Sequence, residues 1–232
     1  MSDISLYYTE KGNGFPLLLL HGNGEDSGYF VNQAEFFSTY FHTIAIDTCG
    51  HGKTPRGDGE FSLVRFAEDL HGFMLSHGIS KANILGFSDG GNTALYFALK
   101  YPFMVEKLIL CGANLFPAGI KRSVQIPIEI GYFIAKLFAR KSGGARANAE
   151  MLGLMVNEPD IKPEELARLT MPTLVVAGTN DMVKKSHTEL IAGSIPKAEL
   201  AFIKGDHFIA NKNPDEFNER VKRFLCDGQS GK

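Results

Sequence analysis

Apolar residues gather into six short blocks along the chain, each ending on a glycine or a polar turn signal. The blocks are 15–20, 43–46, 82–85, 105–110, 173–177 and 198–203, and residues such as His21-Gly22-Asn23-Gly24, Asp47, Gly86, Cys111-Gly112, Gly178 and Lys204-Gly205 close them. Apolar runs of this length between turn signals predict buried strands. Between the blocks the period changes. Over 61–77, Leu63, Phe66, Ala67, Leu70, Phe73 and Met74 recur at helical spacing, with Gly78 placed to end the helix. Segments 88–100 and 214–225 also read as helices, the first stopping before Tyr101-Pro102 and the second setting Phe217, Val221, Phe224 and Leu225 on one face. Such alternation predicts an α/β fold, a mostly parallel doubly wound sheet flanked by helices, whose ligands sit beyond the carboxyl ends of the strands.

One stretch breaks the rhythm. From 114 to 169 there are helical patterns but no strand, with Pro117, Pro127, Gly143-Gly144, Pro159 and Pro163 as expected breakers. The chain therefore divides into a core of 1–113 and 170–226, a helical insertion of 114–169 and a short tail of 227–232, expected to be disordered. Over 118–147 the insertion carries Lys121, Arg122, Lys136, Arg140, Lys141 and Arg146 against Glu129 alone, beside an apolar stripe of Ile130, Phe133, Ile134, Leu137 and Phe138. This predicts a small helical cap, a lid over the strand ends; a membrane-surface helix or an ordinary packed helix would show the same pattern.

Composition narrows the field. Hydrophobic residues make up 44% and charged residues 22% of 232, a balance suited to one globular core. The formal net charge of −2 offers no basic field for a phosphate backbone, so no nucleic-acid partner is expected. The apolar run at 16–20 is far short of a bilayer span, and Met1-Ser2-Asp3 lacks the basic start of a secretory leader, so a cytoplasmic protein without stable membrane insertion is expected. Cys49, Cys111 and Cys226 are widely spaced and odd in number, which fits reduced thiols and argues against a zinc knuckle.

Two glycine-rich segments miss their motifs. His21-Gly22-Asn23-Gly24 would need a third glycine where Ser27 stands, and the segment 47–54 has Asp47 where a phosphate loop opens on glycine. No nucleotide cofactor is expected. Gly86-Phe87-Ser88-Asp89-Gly90, in contrast, fits G-x-S-x-G between a predicted strand and a predicted helix. A sharp turn there lifts the Ser88 hydroxyl clear of the sheet and sets the first amides of the helix beside it, where developing negative charge is stabilised. A serine nucleophile needs a base within hydrogen-bond reach and an acid behind that base, in the chain order Ser, acid, His. His207 lies just past the last strand and Asp181 past the strand before it; His187 reads as a helix-surface residue. Asp206 is too near its neighbour along the chain to orient the ring, and Asn114 is not an acid.

With these residues in place, the chain resembles the α/β-hydrolase fold superfamily over nearly its whole length. His21-Gly22-Asn23-Gly24 matches its His-Gly oxyanion turn, and 47–52 looks like its Asp-x-x-Gly-x-Gly turn. The resemblance implies that the backbone amides of Asn23 and Asp89 form an oxyanion hole, that His21 and Asp47 are structural, and that the insertion is the variable cap. The elbow is similar to that of biphenyl-hydrolase-like and valacyclovir hydrolases, which implies a substrate-binding role for Asp89 toward the ammonium of amino-acid esters. An acid in a first helical turn is also favoured by the helix dipole, whatever the substrate.

The expected function is a serine hydrolase that cleaves small-molecule carboxylic esters through an acyl-enzyme, with Ser88, His207 and Asp181 as triad and with neither cofactor nor metal. Amino-acid-ester, lactone, thioester or carbon–carbon bond hydrolysis would use the same triad. A ligand-binding or receptor protein on this scaffold is the reading from another class.

Overall fold

The computed structural model describes residues 5–226, and the expected tail and the first residues lie outside them. In chain order the elements are β1 (Tyr8–Lys11), β2 (Pro16–Leu20), α1 (Val31–Phe37), β3 (His42–Ile46), α2 (Leu63–Ser76), β4 (Ala82–Phe87), α3 (Asp89–Lys100), β5 (Val105–Cys111), α4 (Arg122–Phe138), α5 (Gly143–Asn157), β6 (Thr173–Gly178), α6 (Lys185–Ser194), β7 (Ala198–Ile203), α7 (Ile209–Lys212) and α8 (Pro214–Cys226). All six blocks read as strands are strands. The seventh, β1, is an antiparallel edge pairing Tyr8 with Ile46 and Lys11 with Thr43.

The sheet order is β1-β3-β2-β4-β5-β6-β7, parallel from β3 to β7. The chain leaves β2 for β3 on one side and returns for β4 on the other, so a crevice opens beyond the carboxyl ends of β2 and β4.

Alternation within the buried strands feeds two cores. Leu18, Leu20, Ile44, Ile46, Ile84, Leu108 and Leu110 point to the face covered by α2 and α3. Leu17, Leu19, Ala45, Leu85, Phe87, Ile109, Leu174 and Val176 point to the opposite face, against Phe30, Phe37, Phe217 and Phe224. Successive strand side chains alternate in direction, so an unbroken apolar run is what a sheet covered on both faces requires. The Ser62 hydroxyl caps α2 by accepting the Arg65 amide at 3.2 Å, and Gly78, at φ 65°, ends that chain reversal.

The segment between β5 and β6 departs from the sequence reading in two places. Pro127 lies inside α4 instead of breaking it. Gly143-Gly144 opens α5 instead of forming a loop, because the Ser142 hydroxyl accepts the Ala145 amide and caps the helix. The helices form an antiparallel pair closed by Gln125 Nε2 donating to Met155 O at 3.2 Å. The stripe Ile130, Phe133, Ile134, Leu137 and Phe138 faces away from that pair and is exposed. It is not the surface that meets the rest of the protein.

Candidate active site

The elbow is built as its sequence dictates. Ser88 has φ 52° and ψ −120°, and no other non-glycine among the described residues has positive φ. Side chains are impossible on either side of it: a Cβ on Gly86 would fall 2.3 Å from Gly90 O, and one on Gly90 would fall 2.0 Å from Leu20 O. The Ser88 amide donates to Cys111 O at 2.8 Å, which ties the turn to the end of β5.

His207 and Asp181 arrive from the ends of β7 and β6. The Ser88 hydroxyl lies 3.0 Å from His207 Nε2, and His207 Nδ1 lies 2.7 Å from Asp181 Oδ1. Asp181 is 4% exposed and His207 5%. Asp181 also accepts the amides of Val183 at 2.9 Å and Gly178 at 3.3 Å, so its orientation is fixed by backbone. Facing an acceptor-only carboxylate, Nδ1 carries the proton and Nε2 is left to accept one from the hydroxyl. Asp206 is turned away: its carboxylate caps the Phe208 amide and pairs with Lys212, whose ammonium holds its pKa down.

The His21-Gly22-Asn23-Gly24 turn follows β2 at the carboxyl end of that strand. His21 Nδ1 donates to Gly22 O at 2.7 Å while its Nε2 accepts the Thr48 amide at 3.1 Å, and burial lowers its pKa. Asp47 accepts the amides of Ser27 at 2.6 Å and Lys53 at 2.8 Å, clamping two loops together. Burial depresses His51 to about 4, and its ring contacts Thr48 and Cys49 O. Glu25, absent from the sequence reading, accepts the Gly22 amide at 3.1 Å; burial pushes it up to about 7 against that hydrogen bond. Three residues after Gly22 in a turn, an acid of this kind carries no sequence signal beyond its spacing.

Asp89 begins α3 and is buried. Its Oδ1 accepts Asn92 Nδ2 at 3.1 Å, and burial raises it to about 6. Asn92 continues inward, accepting the Asn114 amide at 2.9 Å and donating to Asn114 Oδ1 at 3.1 Å. Asp89 lines a cavity of about 10 Å³ together with Asn23, His51, Thr93 and Leu154 among others, and the Asn23 side chain works against the upward push of burial. Asn23 donates its side-chain amide to Met151 O in α5 at 2.7 Å.

His187 corrects the sequence reading. It is buried, not on a helix surface, and its Nε2 accepts the Leu115 amide at 2.9 Å across the chain, with burial depressing it to about 4. It buttresses the loop after β5 and lies outside the Ser88–His207–Asp181 line.

Residues 16–140 match the family model described as alpha/beta hydrolase fold. The chain belongs to that family. Among curated relatives, a 2-hydroxy-6-oxo-6-phenylhexa-2,4-dienoate hydrolase of Comamonas testosteroni is 34% identical over 61% of this chain and 51% of its own length. A 2-hydroxy-6-oxononadienedioate/2-hydroxy-6-oxononatrienedioate hydrolase of the same species is 27% identical over 98% of this chain and 93% of its own. In shape, the hydrolase superposes on the enol-lactonase of Burkholderia xenovorans LB400 with a TM-score of 0.81 at 20% identity, covering 97% of each chain. At that identity the likeness extends to the fold alone. The mostly parallel seven-stranded sheet and flanking helices of this hydrolase are those of the family.

Proposed function

We propose that the protein is a serine hydrolase of small carboxylic esters that works through an acyl-enzyme. The observation that carries this is the unbroken relay from Ser88 Oγ through His207 to Asp181, at 3.0 and 2.7 Å. Ser88 Oγ attacks the ester carbonyl as His207 Nε2 takes its proton, and Asp181 stabilises the imidazolium and holds its tautomer. The tetrahedral oxyanion falls to the amides of Asn23 and Asp89, the latter a free-standing donor at a helix N-terminus. His207 then protonates the departing alkoxide, and water repeats the sequence to release the acid.

In this reading 114–169 acts as a cap on a core of 1–113 and 170–226, with α5 as the layer nearest the site. Support comes from Asn23 Nδ2 on Met151 O, from Leu154 packing with Cys49, Leu63 and Phe66, and from Arg56 pairing with Glu150 at 2.9 Å. No residue of the relay calls for a cofactor or metal.

The names of the curated relatives favour a second reading, hydrolysis of an anionic dienoate. Two acids beside the oxyanion turn, Glu25 and Asp89, weigh against a negatively charged substrate by short-range repulsion when ionised. Neutral or cationic esters are therefore preferred. The test is turnover of p-nitrophenyl acetate, a lactone, a thioester, an amino-acid ester and a 2-hydroxy-6-oxo-dienoate by purified wild type and Ser88→Ala. Ester turnover that falls by about four or more orders of magnitude in folded Ser88→Ala is expected. Retention of about a tenth, or turnover of the dienoate alone, would replace this reading.

A further inference from the structure

We propose that the outer face of α4 docks the protein on the surface of an anionic phospholipid bilayer. Ile126, Ile130, Phe133, Ile134, Leu137 and Phe138 recur at intervals of three and four residues, so they share one side of the helix, and each is 41–64% exposed. The opposite side packs on α5, where Gln125 reaches Met155 O and a Cβ on Gly131 would touch Leu152 at 3.4 Å. The helix thus has two apolar sides, and among the described residues only one is covered. An aromatic side chain carries on the order of 150–250 Å², so the half-exposed Phe133 and Phe138 with their four half-exposed aliphatic neighbours present several hundred Å². That is at the upper end of what a monomer leaves in water.

Charge selects the occupant. Lys121 and Arg122 stand at the start of α4, Lys136 near its far end, Arg140 and Lys141 in the turn beyond and Arg146 in the first turn of α5, all exposed. Glu129 is the lone acid between 118 and 147, on a chain whose net charge is −2. A second copy laid face to face would press two such cationic clusters together. Anionic headgroups would neutralise them, while the phenylalanine, isoleucine and leucine side chains enter the acyl boundary and the long cationic stems reach back to the phosphates. No helix among the described residues is long and apolar enough to cross a membrane, so the attachment is peripheral. Because α5 lies between α4 and the oxyanion turn, docking leaves the site covered. The inference is independent of the chemistry assigned to Ser88.

The experiment is flotation of the full chain with vesicles of phosphatidylcholine alone and of phosphatidylcholine mixed with phosphatidylglycerol, at low and high salt, alongside sedimentation without lipid. Wild type should float with the mixed vesicles at low salt and stay behind with neutral ones. Arg140→Glu/Lys141→Glu should weaken that partitioning at least about 20-fold, since each juxtamembrane cation multiplies affinity about fivefold. Phe133→Ser/Leu137→Ser should abolish it with an unchanged melting profile, both side chains being exposed. Absence of wild-type flotation would overturn the proposal, as would equal binding to both vesicle types that ignores the charge reversal. A lipid-indifferent wild type that sediments as a dimer and becomes monomeric in Phe133→Ser/Leu137→Ser would assign the face to a second copy.

Discussion

The side-chain amide of Asn23 donates to the main-chain carbonyl of Met151 at 2.7 Å, across 128 residues of sequence. Through it the turn that would hold an oxyanion is fastened to α5. Asn23→Ala keeps the backbone amide but removes this tie, which a net hydrogen-bond contribution of about 0.5–1.5 kcal/mol translates into a loss of roughly two- to tenfold in kcat/KM. Steady-state ester kinetics check it; an unchanged kcat/KM would mean that the turn holds its shape without α5.

Ser88 is held in a backbone conformation that costs a non-glycine residue about 1–3 kcal/mol. Ser88→Gly should therefore unfold at a higher urea concentration than Ser88→Ala while both are inactive. Equal midpoints, compared between these two variants so that the lost hydroxyl cancels, would remove strain from the account of the elbow.

The acid behind His207 is Asp181 by geometry, with Asp206 turned to Lys212. Asp181→Asn would reverse the polarity of that contact and favour the wrong imidazole tautomer, lowering kcat by about four orders of magnitude. Asp206→Asn removes a half-exposed ion pair and should change kcat by less than about threefold, in keeping with the small worth of surface pairs. The opposite ranking in a kcat comparison would transfer the role to Asp206.

Burial raises the Asp89 carboxyl from 3.8 to about 6. The folded protein then binds that proton at a pH where the unfolded chain has released it, so stability declines as pH rises from about 4 to about 6 and stays lowered beyond. Two pKa units correspond to an upper bound of about 3 kcal/mol. Asp89→Asn should accordingly exceed wild type in urea midpoint near pH 8 and converge with it near pH 4. The same pair of proteins reports on substrate charge. If the carboxylate faces a bound ammonium, the preference for a free α-amino ester over its N-acetyl analogue should collapse about tenfold or more in Asp89→Asn. An unaltered ratio would confine Asp89 to the helix terminus.

What the sequence made visible follows from burial. Strands covered on both faces read as solid apolar runs, so β2 to β6 were plain, and the Ser, acid, His order singled out three residues that meet within 3.0 Å. The edge strand β1 is Tyr-Thr-Glu-Lys, three of its four residues exposed, and has no such run. His187 sits on a helix with amphipathic spacing, which cannot show that the Leu115 amide, 72 residues away in sequence, needs an acceptor there. Pro127 looked like a terminus because it lacks the donor for the Ser123 carbonyl, yet the following turns pack on α5 well enough to carry α4 through it. The carboxylates of Glu25 and Asp89 owe their raised values to neighbours brought in by the fold, and no local pattern records those.

The two apolar cores have a bearing on how β2 finds its place. A half-buried strand resists slipping by one residue because the slip exposes its apolar side chains. In β2, Leu17 to Leu20 are buried on both faces of the sheet, and a slip would merely trade leucine for leucine. Discrimination has to come from its end. There, Leu20 O sits so close to Gly90 that a single Cβ would strike it at 2.0 Å, and His21 must meet the Thr48 amide. The glycine that lets the elbow form is thus also a gauge for strand alignment, and a Gly90 variant would be expected to misregister the centre of the sheet before it ever meets a substrate.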